Sequence, residues 1–192
     1  EDRSDLDTDC YTLTDLYKTL GGKDCVMYAH VGGRYANIFY DHDATLETAV
    51  EMHSAWGTFE WILTDGFELG RRVGVVCNSD GHKGRPGASY PGSSTFGSYG
   101  GLTCFLTDRL DRDAIFEAMR RRHHYGTTGC RMFIDLSVGL SGGGTLHERN
   151  PQAVPDTPTH HVTSAMMGDI VRTGDEEATL AFEVAAHAGI ER

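Results

Sequence analysis

The chain has 192 residues and a formal net charge of -11, from 28 acidic against 17 basic side chains. That balance argues against general affinity for nucleic acid or an anionic membrane, and makes recognition of an anionic substrate dependent on a metal or a local basic patch. No apolar run reaches the roughly 20 residues that span a bilayer, and five cysteines without a CxxC form neither a disulfide framework nor a zinc-finger spacing.

In chain order, "TDCYTLTDLYKTLGG" predicts a short amphipathic helix, with Thr or Asp caps, apolar Leu13, Leu16, Tyr17 and Leu20, and a glycine stop. "DCVMYAHVGGR" is a buried-strand run that ends at His30 and is punctuated by Gly32 and Gly33. "LETAVEMHSAWG" repeats the shape, with a strand ending near His53. "GTFEWILTDGFELG" places Phe59, Ile62, Leu63 and Phe67 on one helical face. "RRVGVVCNSDGH" is a third strand with a third polar terminus, Asp80 and His82.

Beyond Lys83 the units lengthen. A loop dense in Gly, Ser, Pro and Tyr leads to the strand-like "GLTCFLT". Asp111 is positioned to cap the helix "RDAIFEAMRRRHHY", with Gly126 as its stop. "CRMFIDLSVG" alternates as a strand, whereas "GLSGGGTLHERNPQAVPDTPTHH" has the composition of a flexible connector. "MGDIVRT" and "ATLAFEVAAH" around "GDEE" predict a β-hairpin. The expected organisation is an α/β unit over residues 1–138, a connector over 139–165 and a β-hairpin extension over 166–192. The two ends, "EDRSDLDTD" and "AAHAGIER", are those expected of a partial chain.

Alternating strand, polar terminus and helix predict a largely parallel sheet, whose ligands gather at the carboxyl ends of the strands. His30, the Glu51/His53 pair and the Asp80/His82 pair all occupy such ends. Residues i and i+2 of a strand face the same side, so each pair could converge on one metal. Imidazole with carboxylate suits Zn, Mn or Fe better than Ca or Mg. Each position also has a plainer reading. An Asp-x-His pair often forms only a structural hydrogen bond, Glu51 could pair with Arg34 or Arg71, and His53 could orient a ligand rather than be one. Arg34, Lys83 and Arg85 stand close enough in sequence to these ends to contact a phosphate or carboxylate, or to be solvated loop charges. Arg120, Arg121 and Arg122 fall in the last turn of their helix, where the dipole favours cations. Successive helical residues fan out and cannot all meet one anion. No GxSxG elbow and no convincing cysteine nucleophile is present.

Together "YAHVGGR", "VEMHSAWGTFEW", "VCNSDGHKGRPG", "GGLTCFLT" and "RDAIFEAMRRRHHYGTTGCRM" resemble a poorly characterised branch of the PHP superfamily, named for its polymerase and histidinol phosphatase members. The resemblance covers roughly residues 13 to 138. It implies the C-terminal part of a distorted β/α barrel that binds two or three divalent ions and hydrolyses phosphoesters. His30 then matches a late-strand histidine, and Asp80 with His82 the terminal DxH, while Glu51 and His53 line the site. The superfamily's opening HxH motif is absent, because His123/His124 and His160/His161 are adjacent pairs. The chain is thus expected to hold one side of a metal site, to bind metal weakly alone, and to need an N-terminal half from the same protein or another chain. The expected substrate is a small anion, phosphorylated in the leading reading. Hydrolysis of an amide or lactone, or a non-catalytic metal-binding or assembly module, are the alternatives.

Overall fold

The computed structural model describes residues 9–32, 36–84 and 99–190. Its first part follows the expected alternation. Helix α1 (Leu13–Leu20) is capped by the Thr12 hydroxyl, which accepts the Asp15 N–H. Strands β1 (Met27–Ala29), β2 (Glu47–Ser54) and β4 (Gly74–Cys77) form a parallel core with β2 in the middle. The two-residue β3 (Gly57–Thr58) turns back onto the end of β2. Helix α2 (Glu60–Glu68) covers this sheet through Ile62, which is fully buried with Val31, Ile38, Val50 and Val73, while Phe59, Trp61 and Leu63 pack around them. Phe67, expected on the same face, is 57% exposed.

The expected partial β/α barrel is not what forms. Among the described residues, strand accounts for 37% and helix for 16%, in three small sheets with no barrel. The parallel pattern stops at β4. Strands β5 (Leu102–Phe105) and β6 (His124–Thr127) pair antiparallel, with α3 (Arg112–Arg120) between them in sequence. Asp111 caps α3 as expected, accepting the Ala114 N–H at 2.8 Å. Gly126, however, does not end the helix. The last turn closes with His123 N–H on Ala118 O and Arg122 N–H on Met119 O, which puts Arg122 at the left-handed position glycine usually takes, with φ of +63°. Gly126 belongs to β6, where a Cβ would lie 2.2 Å from Cys77 Sγ, so its bareness lets β6 approach β4.

The segment read as a connector is largely strand. β7 runs from Met132 to His147 and is central to an antiparallel sheet. One edge pairs with β8 (Thr159–Met166), and the other with β10 (Thr179–Ala186) along Met132–Gly139 and with β9 (Ile170–Thr173) along Gly144–His147. The expected hairpin is therefore two strands that each pair with β7 rather than with each other. The glycines that suggested a linker mark an irregularity instead. The β7–β8 register shifts between Gly139 and Gly144, and Gly143 has φ of +74°. Among the described residues no helix is long and apolar enough to cross a membrane.

Candidate metal centre at the parallel strand ends

Because β1, β2 and β4 run parallel, their carboxyl ends share one edge of the core sheet. Glu51, 3% exposed, projects from β2 between the other two strands. Its Oε2 accepts a short hydrogen bond from His30 Nδ1, and its Oε1 accepts one from Asn78 Nδ2 at 2.7 Å. Both carboxylate oxygens are thus engaged, and Nδ1 of His30 carries the ring proton. The lone pair is left on Nε2, which lies 3.8 Å from Asp80 Oδ2. That oxygen is buried and has no hydrogen-bond partner. A carboxylate behind an imidazole, fixing its tautomer and orientation, is the usual support of a metal-binding histidine.

The surrounding backbone keeps this pair in place. A Cβ on Gly32 would sit 2.1 Å from His30 Nε2, so a side chain there would have to displace the imidazole from its present position. Thr103 Oγ1 accepts the Cys77 N–H at 3.0 Å and donates to Cys77 O at 2.9 Å, bracing the end of β4. Asp80 has φ of +45°, a left-handed backbone that is uncommon for a residue with a side chain. Tyr28, two residues before His30, brings its hydroxyl to 3.4 Å from Asn78 Nδ2. Burial, then the charges of Glu51 and Asp80, push its pKa up, so the phenol stays protonated at neutral pH.

The expected site residues are therefore only partly brought together. Glu51 stands behind His30 instead of facing an ion. His53 is turned away, since its Nε2 donates to Tyr99 O at 2.9 Å and its Nδ1 accepts from the Thr58 hydroxyl at 2.7 Å. The β2–β4 register shifts between Glu51 and His53, which breaks the expected i, i+2 convergence. The same argument fails for Asp80 and His82, because β4 ends at Cys77 and both lie beyond it. His82 Nδ1 is 2.8 Å from Asp80 main-chain O and 3.9 Å from Asp80 Oδ1. Lys83 is exposed beside it, and Arg34 and Arg85 lie outside the described residues. Asn78 and Tyr28 were missed, although strand alternation puts Tyr28 on the face of His30 and Asn78 directly follows β4. Burial pushes the Cys77 thiol up to about 11, so this cysteine is a protonated thiol at neutral pH.

Among the described residues, no group of three or more His, Cys, Asp or Glu side chains is arranged to hold a metal. His30 Nε2 and Asp80 Oδ2 are two donors of the right chemistry. At 3.8 Å apart they are close enough to share one ion, whose bonds to nitrogen and oxygen run about 2.0 to 2.2 Å. The orphaned Asp80 oxygen fits such a group.

The described residues form a mostly β structure in which one small parallel sheet presents this pair at its carboxyl edge. Residues 72–189, more than half of the chain, match the family described as Protein of unknown function (DUF3604), and the chain belongs to that family. Asp80 and His82 fall inside the matched span, whereas His30 and Glu51 precede it. Neither a curated protein nor a solved structure matches the chain.

Proposed function

We propose that His30 and Asp80 form one side of a divalent-metal centre in a hydrolase acting on a small phosphorylated substrate, with further ligands contributed from outside the described residues. The observation that carries this reading is the buried, unpartnered Asp80 Oδ2 facing the Nε2 that Glu51 leaves unprotonated. A divalent ion held there would supply Lewis acidity, activating a water and neutralising an oxyanion. Glu51 keeps the proton on Nδ1 of His30, and Asn78 holds Glu51 in line. The Tyr28 hydroxyl, protonated and half-exposed, is a donor for a substrate oxygen at the mouth of the site. Lys83, exposed beside His82, is a candidate cation for the anionic group of the substrate.

The test is turnover of an aryl phosphate by the intact protein with added Mn or Zn. The expected result is metal-dependent hydrolysis that Asp80→Asn and His30→Ala abolish while the fold, followed by circular dichroism, is retained. Turnover of amides or lactones but not phosphates would replace the substrate class. Absence of all hydrolysis with metal bound would leave a non-catalytic metal module.

A further inference from the structure

Among the described residues, the antiparallel sheet ends on a strand edge that nothing covers. Strand β10 pairs with β7 in an unbroken ladder, from Thr179 opposite Gly139 to Ala186 opposite Met132, and its other edge pairs with no described strand. The backbone N–H and C=O groups on that side are open to another strand. Every residue of β10 is exposed except Val184, which is half-buried. Leu180, Phe182 and Val184 lie on the face that carries Val138, Leu136 and Ile134 of β7. This apolar stripe runs out to the sheet edge, where Leu180 is 65% and Phe182 74% exposed.

Sheet edges are ordinarily blunted by charge, proline or a bulge. Strand β8, at the opposite edge, is protected in this way. A register shift interrupts its ladder with β7, and His160, His161, Thr163 and Ser164 line it. β10 has no proline, no register shift and a single charge, Glu183, in a chain of net charge -11. Its side chains are complementary to themselves. A two-fold axis perpendicular to the sheet keeps each face on its own side, so residues facing one another across two antiparallel β10 strands are an even number apart in sequence. With the axis at Phe182 the two Phe182 rings meet, Leu180 faces Val184 of the second copy, and Glu183 faces Ala181. Just beyond the strand ends the same register sets the carboxylate of Glu177 opposite the imidazole of His187, both exposed. An axis at Glu183 would bring the two Glu183 carboxylates together beside Asp135, which already lies opposite Glu183 on β7, a row of like charges. An axis at Ala181 would pair only residues 179–183 of each strand, against residues 179–185 with the axis at Phe182.

We propose that the free edge of β10 is a self-association surface. Two copies of this chain join antiparallel through β10, with the two-fold axis at Phe182, so that the sheet continues from one copy into the other. The surface is separate from the strand-end pair and stands or falls independently of it.

The test is sedimentation velocity of the chain over a concentration series, with hydrogen exchange of the β10 amides read at each concentration. A contact of one strand per copy is small, so the expected result is a reversible dimer forming at about 10–100 μM, with β10 protection rising in step. Phe182→Asp, at an exposed position, should weaken the dimer by about tenfold or more, because the central aromatic pair is lost and two like charges meet in its place. Glu177→His and His187→Glu should each weaken it, and the double variant, which restores the contact with the roles exchanged, should recover it. Circular dichroism checks that each variant keeps the fold. A chain that stays monomeric up to about 1 mM would overturn the proposal. So would β10 amides equally protected at every concentration, as an edge covered by its own chain would be. A dimer indifferent to Phe182→Asp, or a double variant no better than the single ones, would do the same.

Discussion

The imidazole of His30 is anchored through Nδ1 by the buried carboxylate of Glu51 on the neighbouring strand, which turns Nε2 toward Asp80. The relationship assigns different work to two residues that the sequence offered as ligand candidates, His30 ahead of Glu51. His30 offers the donor atom, and Glu51 fixes which atom that is.

Glu51→Gln tests this division. A glutamine is neutral and can present either its oxygen or its amide to Nδ1, so the ring loses its charged anchor and its fixed tautomer. Metal affinity of the intact protein is expected to fall by about 10- to 100-fold, the range for loss of a partner behind a metal ligand. Substitution of a true ligand would remove binding outright. Comparison of Glu51→Gln with His30→Ala by metal titration separates the two roles.

The close approach of β6 to β4 predicts a stability effect. A Cβ at Gly126 would lie 2.2 Å from Cys77 Sγ and 2.7 Å from Cys77 Cβ, against groups held in the core. Gly126→Ala should cost about 1–3 kcal/mol in chemical denaturation, the range for overpacking. Gly174→Ala, with open space around it, serves as the neutral control.

The candidate site was legible where it depended on local order. Parallel β1, β2 and β4 place His30, Glu51 and Asp80 at one edge, as strand termini between helices suggested. What failed was the alternation rule beyond the strands. Asp80 and His82 follow the end of β4 in a non-extended backbone, and a register shift separates Glu51 from His53. The barrel and the C-terminal hairpin failed for a different reason. Both β9 and β10 find their partner in β7, through pairings that local composition does not encode, and β7 itself contains the glycines of an irregular register. Arg122 was similarly hidden, since nothing in "RRRHHYG" says that an arginine rather than the glycine takes the left-handed turn.

The buried His124 makes stability depend on pH. Burial, aided by the charge of Arg122 and opposed by the hydrogen bond to Val75 O, depresses its pKa below the ordinary 6.5. The unfolded chain then binds this proton more readily than the folded one. The histidine's contribution is therefore fully present above about pH 6.5 and is lost as the pH falls below that value toward the depressed folded pKa. Denaturation midpoints measured from neutral to mildly acidic pH should decline, and His124→Phe should flatten the part of that decline due to this residue.

The most direct measurement of the central claim is the nitrogen NMR spectrum of the histidine side chains during titration with Zn. The account predicts that Zn perturbs Nε2 of His30 while Nδ1 keeps its proton, that binding to this chain alone is weak, and that Asp80→Asn removes the perturbation. An unperturbed His30 with Zn bound at other histidines, or a response unchanged by Asp80→Asn, would contradict it.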